Sequence, residues 1–324
     1  MNTAVDLIAI KELRETLDRY LINTPMIRCF NLERRFSNKT RIFAKLEFLQ
    51  HTGTFKLRGA LASLLKLSNE ELLNGVTAVS AGNHAIAIAY ASRSLGIDAK
   101  VVMPKTSNKF RVESCRKLGA EVVFASDANA AFEMVQTIKT KEHRAFIHPF
   151  EGVNIINGTA TLGYEVCEQN GEMDAVIVPI GGGGLCAGLS SYVRGRLPSS
   201  EIYGIEPQYA SSMHMSIKSN APQKNIHLNT IADSLAAPFA MPISFAFCRD
   251  NLTQSLLVND GEISNSMNIL FDEMKLAVEP ACAVSTAALL GPLKDRLNDK
   301  NIVLIMCGSN IDWGTYKKNI QVSI

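Results

Sequence analysis

No charge of one sign is in excess: lysine plus arginine (33) nearly balance aspartate plus glutamate (31). A nucleic-acid or anionic-membrane surface therefore has no basis in composition. CxxC pairs and His–Cys clusters are missing as well. The seven cysteines, at 29, 115, 167, 186, 248, 282 and 307, are odd in number and scattered, which excludes a disulfide framework or zinc site and points to reduced thiols in a cytoplasmic protein. Long apolar runs are also lacking near the start. Val5 to Ile10 is interrupted by Asp6 and followed by Lys11, Glu12 and Arg14, too short for a signal peptide or membrane span. No repeat, low-complexity tract or Pro/Gly/Ser linker divides the chain. What remains is 324 residues, 47% apolar and 20% charged, enough for one large or two modest globular domains.

Short apolar runs alternate with helical patterns. "AKVVMPKTSNKFRVESCRKLGAEVVFAS" predicts a strand over Val101 to Met103, a helix over Lys109 to Leu118 stopped by Gly119, and a strand over Glu121 to Ala125. "DAVIVPIGGGGLCAGLSSYVRG" repeats the scheme, with the strand at Ala175 to Pro179 and a helix closing near Gly195, and "NIVLIMCGSNI" is another apolar strand. Continuous β-branched strands separated by helices imply an α/β fold with parallel sheets covered on both faces, and such sheets bind ligands beyond the carboxyl ends of their strands. Three strand ends carry small-residue loops: Ser80-Ala81-Gly82-Asn83-His84, Gly181 to Gly184, and Cys307-Gly308-Ser309-Asn310.

Gly181, Gly182, Gly183 and Gly184 follow a strand and open a helix, so backbone N–H groups and the helix N-terminus can converge on one anion. A flexible turn is the plainer alternative. The pattern is neither GxGxxG nor GxxxxGK[ST], which disfavours a dinucleotide or nucleoside triphosphate and favours a monophosphate. Lys56 follows Thr-Gly-Thr-Phe. Taken alone it reads as a surface lysine. Phe55 offers an aromatic face and Gly53 permits close approach, and a lysine desolvated there loses its proton readily and can form an imine. The Ser80 to His84 loop can hold a carboxylate, with Asn83 donating to a phenolic oxygen or capping a helix. His84 reads as structural or orienting, since nothing beside it would make it a base.

An imine-forming lysine, a phosphate cup and a carboxylate loop on one parallel-sheet scaffold describe a pyridoxal-phosphate site. The chain resembles the serine/threonine dehydratase and serine racemase family of fold-type-II pyridoxal-phosphate enzymes. The resemblance runs from "INTPMIRC" (22 to 29) through "TGTFKLRGA", "SAGNHA", "HPFEG", "GGGGL", "IEP", "TIAD" and "VEPACA" to "CGSNID" (307 to 312). It implies a tryptophan synthase β-like architecture of two helix-covered parallel-sheet domains: residues 1–53 with 151–324 as a large cofactor domain, and 54–150 as a small substrate-loop domain. It further implies that Lys56 carries pyridoxal 5'-phosphate and moves the substrate α-proton, with Phe55 packed on the cofactor ring and Asn83 bonded to its 3-hydroxyl. Gly181 to Gly184 would hold the phosphate, and Ser80, Ala81, Gly82, Asn83 and His84 the substrate carboxylate. Cys307 takes the place of a serine facing the pyridine nitrogen, and Glu279 lies near the ring. A neutral thiol there does not keep that nitrogen protonated, which suits prompt loss of a β-leaving group.

Departures from the family pattern sharpen the expectation. Racemases place a serine where this chain has Ala81, and a methyl group cannot carry a proton. Phe48, Thr159, Ala160, Ser234 and Ser309 replace the residues usual at their positions, and several are candidates for the pocket wall. The family's cation site would fall at Glu206 and the Ala210 carbonyl, but its aspartate is Ser212 here, so no bound metal is expected. The expected activity is a threonine or serine dehydratase: Lys56 removes the α-proton, the β-hydroxyl leaves with a proton from the cofactor phosphate, and a 2-oxo acid and ammonia result. The alternatives are an amino-acid racemase, a lyase for a substrate such as 3-hydroxyaspartate, and a non-catalytic pyridoxal-phosphate-binding protein. The expected partners are an amino-acid substrate and further copies of the chain, as a homodimer or homotetramer, with no nucleic acid or membrane. No appended regulatory domain is expected.

Overall fold

This computed structural model describes residues 2–225 and 228–321. Its strands are β1 Met26–Arg28, β2 Arg41–Leu46, β3 Val76–Val79, β4 Ala99–Pro104, β5 Glu121–Ala125, β6 Ala145–Phe146, β7 Ala175–Pro179, β8 Glu201–Pro207, β9 Gln254–Val258 and β10 Asn301–Met306. They form a six-stranded sheet, in the order β1-β2-β10-β7-β8-β9, and a four-stranded one, β5-β4-β3-β6. Helices flank both, giving the α/β architecture expected from sequence. Among the strands of the described residues, only β1 departs from parallel pairing, with Met26 opposite Lys45 and Arg28 opposite Phe43. β1 sits at the sheet edge, where the short return through the Phe30–Glu33 helix suffices to lay β2 alongside it.

β3, β7 and most of β10 are buried along their length, which is why they read as unbroken apolar runs. In the first β-α-β unit the Lys109–Lys117 helix starts where the Asn108 side chain accepts from the Phe110 N–H. It ends before Gly119, whose φ of +91° no β-carbon tolerates cheaply. The Gly184–Arg196 helix begins on the last glycine of the run, as its sequence suggested.

A buried charge network ties the elements behind Lys56 together. Arg58, fully buried, donates to Glu47 (2.7 and 2.8 Å) and to Glu165 (2.9 and 2.8 Å), while Lys45 reaches Glu165 at 2.6 Å and Arg14 also pairs with it. β2, the turn after it, the Lys56–Leu64 helix, the Val153–Gln169 helix and the Leu7–Leu17 helix are thereby joined. Leu17 and Leu21 pack with Leu57, Leu61 and Val76 under the four-stranded sheet, although they precede the first strand of the six-stranded one.

Candidate active site

All three small-residue loops arrive at one place. β2, β7 and β10 are neighbours in one sheet, with Met306 level with Leu46 and Leu304 with Ile177, so their carboxyl ends lie together. β3 of the other sheet brings the Ser80 to His84 loop to face them. A narrow cavity of about 30 Å³ is lined by Phe55, Lys56, Asn83, Gly181 to Gly184, Glu279 and Cys307. These are the residues that the resemblance associates with the cofactor. An adjoining cavity of about 160 Å³ is lined by Lys56 and by Ser80, Ala81, Gly82, Asn83 and His84.

Lys56 opens its helix, and the segment before it is held by an isolated bridge to the loop after β10: the Phe55 N–H donates to the Cys307 carbonyl at 3.1 Å and the Ser309 N–H to the Gly53 carbonyl at 3.0 Å. The Lys56 Nζ donates to the Pro149 carbonyl at 2.5 Å and stands 5.2 Å from the centre of the Phe55 ring. Burial pulls its pKa down to about 8, partly opposed by Cys307 and Glu279. A hydrogen bond with Cys282, reinforced by burial, pushes the Cys307 thiol well above its ordinary value, so it stays neutral. His84 Nε2 lies 3.0 Å from the Ile147 carbonyl, which fixes Nε2 as the protonated nitrogen, and burial lowers its pKa to about 3. Its ring is therefore neutral and fixed in orientation by that carbonyl.

Asn83 is not a cap. Gly82 occupies the position before the helix, and Asn83 is the first helical residue with its amide turned inward. Its Nδ2 donates to Glu279 Oε1 at 2.7 Å and lies 3.3 Å from Ser234 Oγ, while its Oδ1 accepts from Asn310 Nδ2 at 2.8 Å. Burial raises the Glu279 carboxyl to about 7 against the pull of Arg111. Sequence reasoning missed Arg111, which donates to Asp233 (2.6 Å), the Asn310 carbonyl (2.9 Å) and Glu279 (3.4 Å), tying the Lys109–Lys117 helix to loops of the larger sheet. Its stem lies against Gly82, where a β-carbon would come within 2.3 Å of the Arg111 Cδ. The available signal was its place on a helix face with Val112 and Cys115, where a cation has no solvent. Of the substitutions noted as candidates for the wall, Ser234 alone lines these two cavities; Phe48 packs into the core, and Thr159 donates to the Gly184 carbonyl at 2.7 Å.

The glycine run fits a phosphate. A β-carbon on Gly182 would lie 2.2 Å from the Phe150 ring, and the helix that starts at Gly184 presents unpaired N–H groups and the positive end of its dipole. A lysine amine near neutrality, an aromatic ring beside it and a neutral thiol complete a donor set suited to pyridoxal phosphate. Both Glu206 oxygens accept backbone N–H groups, from Met213 at 2.9 Å and His214 at 2.6 Å, at the start of the Ser212–Ser219 helix. No group of three or more His, Cys, Asp or Glu among the described residues is arranged to hold a metal ion.

Comparison with known proteins gives the same direction. The family described as "Pyridoxal-phosphate dependent enzyme" matches residues 17–308. The phenylserine dehydratase of Ralstonia pickettii is 46% identical over 98% of this chain and 97% of its own length. The L-threonine ammonia-lyase of Thermotoga maritima is 32% identical over 94% of this chain and 75% of its own. Among solved structures, the processed form of threonine deaminase isoform 2 from Solanum lycopersicum has a TM-score of 0.91 at 31% identity, covering 98% of this chain and 94% of that one. Maize serine racemase has a TM-score of 0.90 at 30% identity, covering 98% and 97%. With the match spanning nearly the whole chain and the lysine, glycine and asparagine loops closing on one cavity, the chain belongs to the pyridoxal-phosphate-dependent enzyme family.

Proposed function

We propose that the protein is a dehydratase, an ammonia-lyase that converts a β-hydroxy amino acid to a 2-oxo acid and ammonia. Pyridoxal phosphate, when bound, supplies the electron sink that makes the substrate α-proton labile. In this reading the Lys56 amine, held toward Pro149, takes that proton from one face. The Ser80 to His84 loop, at the N-terminal end of the Asn83–Leu95 helix, holds the substrate carboxylate through backbone N–H groups and the Ser80 hydroxyl. Gly181 to Gly184 would hold the phosphate, Phe55 and Asn83 would orient the ring, and the neutral Cys307 thiol would leave the ring nitrogen uncharged.

The observation that carries elimination over racemisation is Ala81 on the cavity wall. A racemase needs a second proton carrier opposite Lys56, and a methyl group is none. Threonine and serine are the first candidate substrates. A β-aryl substrate is a second, favoured by the relative from Ralstonia pickettii named for phenylserine. The test is a screen for 2-oxo acid release from L-threonine, L-serine, L-threo-3-phenylserine and 3-hydroxyaspartate by the holoenzyme. Release from at least one of the first three supports the reading and its substrates; release from 3-hydroxyaspartate alone keeps the ammonia-lyase and replaces threonine and serine with an acidic substrate; no release from any points to a binding protein.

The reading extends to organisation. Residues 54–150, which carry β3 to β6, would form the small domain, and 1–53 with 151–324 the large one, supported by sheet membership. The packing of Leu17 and Leu21 under the small sheet makes the Leu7–Leu17 helix a strap across that division. No helix among the described residues is long and apolar enough to cross a membrane. We place the enzyme in the cytoplasm, in keeping with seven buried free cysteines, and expect a homodimer or homotetramer.

A further inference from the structure

The larger cavity has two unlike walls. One is the polar rim already described. The other is apolar and built from Pro104, Ala128, Phe132, Pro149, Phe150 and Ala237. We propose that this wall is a subsite for an aromatic ring on the substrate β-carbon, with Phe132 as its specificity-determining residue; this rests on the dehydratase reading above and deepens it.

Phe132 and Phe150 are not isolated. Phe239 packs behind both, with ring centres 5.6 Å from Phe132 and 6.2 Å from Phe150, at interplanar angles of 58° and 57°. His148 stands edge-on to Phe150 at 4.6 Å and tilted to Phe132 at 6.1 Å. Tilted and edge-on contacts of this kind are the favoured aromatic geometries, so the cluster fixes the ring planes before any substrate arrives. Phe132 nevertheless remains only half-buried, with surface left toward the cavity. Ala128 lies one turn earlier on the Ala128–Glu142 helix, on the same face, and keeps the approach open.

Size decides between a small and a large β-substituent. The cavity measures about 160 Å³ over its polar rim and apolar wall together, of the same order as the apolar cavity of roughly 150 Å³ that takes up a benzene molecule. Serine, with no β-substituent beyond its hydroxyl, would leave the wall bare, and the methyl of threonine would cover little of it. A phenyl group held by its carboxylate at Ser80 to His84, with its α-carbon beside Lys56, has an aromatic wall of matching extent to meet. Phe150 also lies against Gly182, so the same ring that lines the subsite abuts the phosphate cradle.

The test compares wild-type holoenzyme with Phe132→Ala and with Ala128→Trp, the latter adding bulk from an exposed helix position without touching the core. Retained absorbance of the lysine-bound cofactor reports that each variant is folded and loaded. The ratio of kcat/KM for L-threo-3-phenylserine to that for L-threonine is expected to fall about 10- to 200-fold in each, the range that one hydrophobic group commands. The loss should appear mainly in KM. A second readout needs no turnover: L-phenylalanine and L-alanine, which have no β-leaving group, are titrated against the cofactor absorbance. L-phenylalanine should bind wild type more tightly than L-alanine and lose that advantage in both variants. The dehydratase reading fails separately, if wild type releases 2-oxo acid from none of L-threonine, L-serine and L-threo-3-phenylserine, and the titration then still decides the subsite. An unmoved kcat/KM ratio, or equal binding of the two amino acids by wild type, overturns the proposal.

Discussion

Burial pulls the Lys56 ammonium down to about 8 from its ordinary 10.5, and Cys307 and Glu279 restore only part of the loss. Since only the neutral amine can condense with an aldehyde, apoenzyme should load pyridoxal phosphate faster as pH rises, with the gain levelling off above about pH 8. The rate at which cofactor absorbance grows after mixing, followed from pH 6 to 10, reads this directly; a rise still continuing toward 10 would mean a solvated lysine. Lys56→Ala should abolish covalent attachment, and borohydride reduction of the wild type should label Lys56 and no other lysine. At this scale the buried lysine of the cavity was legible because Gly53 and Phe55 lie within three residues of Lys56. Arg111 was not, because the carboxylates and carbonyl that hold it come from residues 233, 279 and 310, and no local pattern announces partners so distant.

The glycine run and the helix after it work as one element. Gly182→Val would press a branched side chain into the Phe150 ring, which stands 2.2 Å from where the first carbon would be. We expect cofactor affinity to fall about tenfold or more, the loss of one backbone hydrogen bond to a charged group at ~1.5 kcal/mol, while far-ultraviolet circular dichroism keeps its wild-type shape. Unchanged affinity in a folded variant would move the phosphate elsewhere. The Lys56 helix depends on a different device. Glu165→Ala would leave Arg58 and Lys45 buried with half their compensation gone, and breaking such a pair costs about 3–5 kcal/mol. Urea denaturation should report a loss of that order; a loss under about 1 kcal/mol would show the network to be dispensable. The strands and helices of these units were readable from period and glycine stops. Of the two readings open for Asn83, the cap falls away: Asn and Gly-Asn both suit a helix start locally, and only the inward partners Glu279 and Asn310 decide which way the amide turns.

Two parallel sheets meet across a cleft whose floor is the glycine run and whose roof is the Ser80 to His84 loop, with Arg111 and Asn83 reaching across to Glu279. The α/β class and the convergence of strand-end loops were visible in the sequence because buried parallel strands must be apolar throughout and must open their ligand sites at one end. The antiparallel β1, the strap formed by the Leu7–Leu17 helix and the aromatic wall of Phe132, Phe150 and Phe239 were not, since each depends on packing between distant segments. In the proposed mechanism one proton carrier, Lys56, serves one face of the cofactor site, and Ala81 leaves the other without one. A chiral assay of the unmodified holoenzyme with L-serine tests this most directly. Pyruvate and ammonia should accumulate with scarcely any D-serine; D-serine appearing as fast as pyruvate would mean that another residue supplies the second proton and that the enzyme is a racemase.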